Sequence, residues 1–293
     1  MSAAQMDRLL RPFRVRGKPR RPAPGCEVRA QVPLRTGDWQ VAEAGWLEAD
    51  TVAHCGSSMK GCFAWSLVLT DIYSQWTEAR ATWNRSDRVV HERIEQVEAS
   101  LPFGILGVDT DNGGEFLNHT LWRYWRQRPR PVEVTRSRPY RKNDNAHVEQ
   151  KNLTHIRQFI GYERLGHPLL MQPLDEVLQL WSLWNNLYSP TLKLLSKQRE
   201  GARVRKVHEK AARTPCQRLV ECEALEPAGR ARLQALQQRT DPIELKRHIE
   251  AKLRAFWQLA RTLQTEPGAP AENECPQDYQ TIRTIFPPSG GKG

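Results

Sequence analysis

Three carboxylates in this 293-residue chain stand where acidic groups do chemistry. Asp50 lies inside GWLEADTVAH, a run that reads as a β-strand. Asp111 follows the apolar run ILGVDT and precedes the turn dipeptide Asn112-Gly113, so it sits where a strand stops. Glu149 falls in the second turn of a helix opened by the cluster Asn143-Asp144-Asn145. Carboxylates on two strands and one helix are the donor set of a two-metal phosphoryl-transfer site. Hard oxygen ligands there hold two Mg²⁺ about 3.5–4 Å apart, which activate the attacking oxygen and stabilise the leaving one. A lone Asp in a strand ordinarily faces solvent, and so does a Glu on a helix. What sets these three apart is that they occur together on elements able to converge. Asp109 shares a strand face with Asp111 by the period of two, and periodicity cannot separate them. The turn after Asp111 favours Asp111 as the ligand, with Asp109 supporting the site from behind.

The elements that must position these groups follow from pattern and punctuation. Trp46–Cys55, Cys62–Ile72 and Trp76–Trp83 read as three strands, the last two joined at Tyr73-Ser74-Gln75. Asp71, which closes the second, reads as a turn acceptor for nearby backbone N–H groups. Ser86 reads as a helix N-cap, with Val89, Val90, Ile94, Val97 and Leu101 on one face and Pro102 as the stop. Ile105–Thr110 is a fourth strand, 114–126 a helix and Val132–Thr135 a fifth strand. The Glu149 helix then runs through Leu153, Ile156 and Ile160. Strands and helices in this order predict a mixed five-stranded sheet flanked by helices.

The segments D-N-G-G-E-F, S-R-P-Y and N-D-N-A-H-V-E-Q-K-N resemble the catalytic motifs of insertion-sequence transposases in the retroviral-integrase superfamily. The similarity extends to E-A-D-T-V-A-H-C-G around Asp50, L-T-D-I-Y-S-Q-W-T-E-A in the next hairpin and K-L-L-S-K-Q-R-E-G-A-R-V-R-K downstream. It covers roughly residues 40–220, with a weaker echo to about 260. The resemblance implies an RNase H-like fold and a DDE triad of Asp50, Asp111 and Glu149 acting with two Mg²⁺, for which Mn²⁺ substitutes. It implies strand cleavage by water and attack of the freed 3′-OH on a target phosphate, without a covalent enzyme intermediate. Joining two ends at once further implies a homo-oligomer on double-stranded DNA, at element ends and target. Thirty-seven residues separate Asp111 from Glu149, slightly more than is commonest in the resembled superfamily. The surplus falls at Pro129-Arg130-Pro131, where a longer loop costs little. Two other readings remain: an RNase H-like nuclease that does not join strands, and a non-catalytic DNA-binding remnant.

Charge supports a polyanionic partner. Lys and Arg number 44 against 33 Asp and Glu, a net charge of +11, and such a balance points first to nucleic acid. Between His119 and Lys142 lie eight Arg or Lys and one acid, Glu133. Arg136, Arg138, Arg141, Lys142 and Lys151 flank the path to Glu149 and are the candidates for DNA-backbone contacts, which give affinity and register without reading sequence. Asn145, His147 and Asn152 surround Glu149 without a rank among them. The ten Trp show no alternation with basic residues, so they read as core and not as a stacking groove.

The chain divides, on this reading, into a short helix and basic linker (1–40), an RNase H-like catalytic core (41–190), a basic and helical region (191–264) and a disordered tail (265–293). Ser2 with Gln5 forms a capping-box pattern at the start, and Lys193–Arg213 reads as basic and partly extended. A helix interrupted near Pro227 follows, then a final helix opened by Asp241-Pro242. The resemblance places a helix-turn-helix unit upstream of residue 1, so the chain reads as short by one DNA-reading domain. The six cysteines form no C-x-x-C pair and read as reduced thiols. The N-terminus carries no apolar signal segment, and no run approaches the ~20 apolar residues of a membrane span. A cytoplasmic, nucleoid-associated protein is therefore expected.

Overall fold

The structure is a computed structural model, and it describes residues 5–6, 26–35, 41–138, 146–200 and 203–265. Helix α1 (Cys26–Gln31) precedes strands β1 (Trp46–Ala53), β2 (Trp65–Asp71) and β3 (Thr77–Thr82). Helix α2 (Asp87–Ser100), strand β4 (Gly107–Thr110), helix α3 (His119–Arg126) and strand β5 (Glu133–Arg136) follow. Helix α4 (Ala146–Lys151) continues through a π-helical turn (Asn152–Arg157) into Gln158–Ile160. Helix α5 (Met171–Tyr188) comes next, then a hairpin of β6 (Leu194–Glu200) and β7 (Arg203–His208). Helices α6 (Pro215–Glu221), α7 (Pro227–Arg239) and α8 (Pro242–Thr265) complete the described chain.

The sheet order is β3-β2-β1-β4-β5. Strands β1, β2 and β3 pair antiparallel, while β4 and β5 run parallel to β1. A mixed five-stranded sheet in this order, with helices on both faces, is the RNase H-like fold that the element order predicts. Apolar alternation explains the two faces. Leu47, Ala49, Leu67, Leu69 and Val108 point to one side, where Val90, Ile94 and Val97 of α2 and Leu121 and Trp125 of α3 cover them. Val52, Val68, Ala79 and Ala81 point to the other, under Val148 and Ile156 of the α4 segment, Leu174, Val177 and Leu178 of α5, and Phe256 and Ala260 of α8. Cys216, Leu219 and Leu233 join the first core, so the C-terminal helices share both cores with the sheet.

Strand β3 is an edge strand that is wholly buried despite its polar sequence. Helix α5 replaces the missing neighbour. The N–H groups of Thr77, Ala79 and Ala81 donate to Asn186 Oδ1 (2.9 Å), Ser182 Oγ (3.2 Å) and Asp175 Oδ1 (2.7 Å). Asn186 Nδ2 returns a bond to the Thr77 carbonyl at 3.0 Å. An exposed row of unpaired donors is thereby removed.

Boundaries shift locally from the expected ones. The helix expected over 114–126 begins at His119, because Asn118 caps it by accepting from the Leu121 N–H at 2.9 Å. Asp71 is the turn acceptor foreseen: its carboxylate accepts from Gly45 N–H, Ser74 N–H and Ser74 Oγ–H. Residues 26–35 depart from the linker reading. Val28 and Val32, one helical turn apart, are buried in the first core, and the Leu34 backbone bridges to Arg136. The Pro- and Arg-rich surroundings hid that two-residue apolar face. Cys55, Cys216 and Cys222 are free thiols, whereas Cys62 is disulfide-bonded, against the all-reduced expectation. Among the described residues, no helix is long and apolar enough to cross a membrane. The Ser2 cap and the tail beyond Thr265 lie outside the described residues.

Candidate active site

Strand register brings the first two carboxylates together. In the parallel β1–β4 pair, Glu48 stands opposite Asp109 and Ala49 opposite Thr110. One further step sets Asp50 beside Asp111, on neighbouring strands roughly 4.8 Å apart. Leu47 and Ala49 face the first core, so the pleat turns Glu48 and Asp50 toward the face on which α4 packs. Glu149 is an exposed residue of α4, between Val148, which is fully buried in the second core, and the π-helical turn. A π-turn inside an α-helix is rare and frequently marks a functional site.

Asp50 senses the other two acids. Burial first, and then the negative charges of Asp111 and Glu149, push the Asp50 carboxyl up to about 6. Two hydrogen bonds oppose that rise: Asp50 accepts from Thr51 N–H at 2.7 Å and from Asn152 Nδ2 at 2.7 Å. Burial also raises Asp111, with the Glu115 charge adding to it and the Gly113 N–H, donating at 2.8 Å, opposing it. A Cβ at position 113 would stand 2.4 Å from Glu115 Oε2 and 2.8 Å from Asp111 Oδ1, so a larger residue there would push these two carboxylates aside. Glu115 is buried, ion-paired to Arg85, and accepts from Thr51 Oγ1 at 3.3 Å. It links the Asp111 loop to the residue after Asp50.

Asp109 is a different kind of group. It is fully buried, with Oδ2 3.1 Å from Arg35 Nη1 and Oδ1 accepting from Thr135 Oγ1 at 2.6 Å. Burial raises its pKa to about 6 against the pull of Thr135 and Arg35. Arg35 Nη1 also reaches Glu48 Oε1 at 3.2 Å. Glu48 in turn holds the start of α4: Oε2 accepts from the His147 and Val148 N–H groups, both at 2.9 Å, and Oε1 lies 2.9 Å from His147 Nδ1. Burial alone would raise Glu48. The His147, Val148 and Arg35 contacts outweigh it and leave its pKa below the usual carboxylate value.

The candidates for DNA contact separate. Arg138 is exposed beside the site. Arg136 is half-buried and donates to the Val32 carbonyl and to Asn112 Oδ1, both at 3.0 Å, so part of its fork holds the loop next to Asp111. Lys151 is a correction: it is buried, at 4% exposure, and is not a surface cation. Its helix turns it inward, and burial, followed by the charge of Arg218, lowers its pKa to about 8. Arg141 and Lys142 lie outside the described residues, as do Asn143, Asp144 and Asn145. The surplus at 129–131 is taken up by a loop between α3 and β5, closed by Val132 N–H to the Trp125 carbonyl at 3.0 Å.

Sequence reasoning missed Arg35, Glu48, Glu115 and the exposed hairpin β6–β7. Glu48 had a signal, a second acid two residues before Asp50 on the same strand face. In the hairpin Arg205 and Lys206 are exposed, and Lys197 stands across from Lys206.

The donor chemistry fits a hard divalent cation. The carboxylates crowd one another, and Asn152 Oδ1, buried next to Asp50, has no hydrogen-bond partner. Among the described residues, no three His, Cys, Asp or Glu side chains are gathered closely enough to hold an ion as they stand.

No family model matches the chain. The chain is 42% identical over 208 residues to a Sinorhizobium fredii (strain NBRC 101917 / NGR234) protein named "Uncharacterized protein y4rM", covering 70% of this chain and 59% of that protein. It therefore spans about three fifths of the length of that curated relative. Among solved structures, it is similar to the catalytic core domain of BIV integrase (17% identity, 61% of this chain, 95% of that chain, TM-score 0.40). It is also similar to the HTLV-2 integrase catalytic core domain in complex with magnesium, dimeric form (16% identity, 51% and 90%, TM-score 0.38). The fold assignment rests on the strand order and not on these two likenesses.

Proposed function

We propose that the chain is a DDE-type polynucleotidyl transferase that cleaves and joins DNA strands during transposition, with Asp50, Asp111 and Glu149 as its metal-holding triad. The observation that carries this reading is the β1–β4 register, which sets Asp50 beside Asp111, where burial and the charges of Asp111 and Glu149 push the Asp50 carboxyl up. A half-buried carboxyl raised by two neighbouring acids marks a site short of positive charge. The motifs around the three residues supply the reaction class.

Bound Mg²⁺ ions would supply Lewis-acid activation of the attacking oxygen and charge neutralisation at the leaving oxygen. The chain's own part is to hold the ligands. Thr51 N–H and Asn152 orient Asp50, Gly113 N–H orients Asp111, and the Glu48 contacts fix the start of the Glu149 helix. No side-chain nucleophile is required. Water attacks one phosphodiester and releases a 3′-OH, which then attacks a target phosphate with loss of its 3′ oxygen.

Double-stranded DNA is the partner, met by exposed cations. Arg138 borders the site, and the β6–β7 hairpin presents Arg205 and Lys206. A two-stranded ribbon fits the major groove in width. A homo-oligomer follows from the need to join two ends in one event.

The test is a strand-transfer gel with labelled duplex, in Mg²⁺ and in Mn²⁺, for the wild type and for Asp50→Asn, Asp111→Asn and Glu149→Gln. Joined product from the wild type alone supports the proposal. Cleavage without joining gives the nuclease reading, and DNA binding without any cleavage gives the non-catalytic one.

A further inference from the structure

Four residues outside the triad form one chain of contacts, three of them buried and His147 half-buried, and three of them stand in a fixed relation to the triad. Glu48 lies two residues before Asp50, Asp109 two before Asp111 and His147 two before Glu149. Glu48 and Asp109 face each other across the β1–β4 pair. Two carboxylates so placed repel, and burial worsens the cost. Arg35 lies between them, with one nitrogen 3.2 Å from Glu48 and 3.1 Å from Asp109. The other face of the Glu48 carboxylate takes the His147 and Val148 N–H groups, first-turn donors that a helix leaves unpaired.

Arg35 comes from a segment outside the sheet, and that segment is firmly tied. Arg35 N–H donates to the Arg136 carbonyl at 2.9 Å, and Arg136 N–H to the Pro33 carbonyl at 3.0 Å. Val28 and Val32 are each 1% exposed in the first core. We infer that Arg35, Glu48, Asp109 and His147 are a positioning frame that sets the spacing of the three carboxylates, which makes the segment 26–35 a working part of the active site. The inference rests on the triad reading given above.

The lengths explain the arrangement. On a strand, two residues keep the same face and advance roughly 7 Å. Fixing Glu48 against Asp109 therefore fixes Asp50 against Asp111. On a helix, two residues advance about 3 Å, so holding the His147 and Val148 amides sets the height of Glu149 over the sheet. None of the four need touch DNA or a metal ion. A triad carboxylate displaced by about 1 Å can cost up to about 100-fold in rate.

The experiment uses the full chain with Arg35→Met, Arg35→Lys and Glu48→Gln. Three readouts are taken: steady-state DNA cleavage, Mn²⁺ binding followed by electron paramagnetic resonance, and amide hydrogen exchange. Arg35→Met should lower kcat about 10–100-fold with KM and DNA affinity nearly unchanged. It should weaken Mn²⁺ binding and speed exchange at the His147 and Val148 amides while β2 and β3 keep their protection. Arg35→Lys keeps the charge without the fork and should recover part of each effect. Glu48→Gln should speed exchange at the same two amides and provides the test if Arg35→Met fails to fold. Unchanged exchange at those amides, or exchange rising equally across the sheet, overturns the frame. If Asp50→Asn turns over like the wild type, the triad reading fails. Localised exchange and weakened Mn²⁺ binding in the Arg35 variants still decide whether the frame exists.

Discussion

Replacing Asp50 with Asn should make the metal-free protein more stable while abolishing its chemistry. Asp50 is raised from its ordinary 3.8 to about 6, by burial first and then by Asp111 and Glu149. At about 1.4 kcal/mol per tenfold change, that rise corresponds to roughly 3 kcal/mol of penalty for the ionised form in the folded state. Asp50 is partly exposed, and solvent screening reduces the figure to about 1–2 kcal/mol. The folded-state pKa lies above the unfolded value, so the penalty is absent below about pH 4 and complete once the pH is well above 6. The amide keeps the bond from Thr51 N–H. Asn152, whose Oδ1 lacks a partner, can rotate that oxygen toward the new NH₂ group. In chelator near pH 7.5, Asp50→Asn should melt higher by about 2–4 °C per kcal/mol gained, as for domains of 150–250 residues. The gain should vanish near pH 4. In millimolar Mg²⁺ the order should reverse, because only the wild type binds the ion and is stabilised by it. An Asp50→Asn protein no more stable than wild type in chelator, or a gain that persists at pH 4, would refute the crowded-carboxylate argument.

The remaining expectations concern activity, DNA and the edge strand. Asp111→Asn and Glu149→Gln should each abolish Mg²⁺-dependent cleavage on the strand-transfer gel while DNA binding persists; wild-type turnover in either removes that residue from the triad. Arg205→Glu with Lys206→Glu on the hairpin should weaken DNA binding and flatten the slope of log K against log salt, by about one for each phosphate no longer neutralised. An unchanged slope in a fluorescence titration places the hairpin away from DNA. Asn186→Ala leaves the Thr77 N–H and carbonyl without their partner and should cost about 1–3 kcal/mol in urea unfolding. A smaller cost would mean that water reaches the β3 edge.

Much of the fold was legible because it is written in local pattern. The five strands and the order of helices follow from apolar periodicity and from Ser86, Pro102 and Asn112-Gly113 as punctuation. The structure places all of them within a few residues of expectation. The segment 26–35 was not legible, because its apolar face is only Val28 and Val32, and its backbone partner, Arg136, lies about a hundred residues away. Lys151 misled because a basic residue on the Glu149 helix looks like a DNA contact. Only the rotation of α4 against the sheet shows that it faces inward.

The candidate site divides along the same line. Asp50, Asp111 and Glu149 were marked out by the motifs around them and, at Asp111, by the strand end and the Asn112-Gly113 turn. Glu48, Arg35 and His147 could not, since an acid in a strand, an arginine in a Pro-rich stretch and a histidine on a helix each have ordinary readings. Their meaning lies in distances that cross three elements. Glu48 shows the difference most clearly. By pattern it is a second acid near a first. In the structure Arg35 sits against it and it holds the start of α4, so its pKa is lowered while that of Asp50, two residues on, is raised. Adjacent acids on one strand face, driven in opposite directions, separate the group that holds the scaffold from the group left short of positive charge.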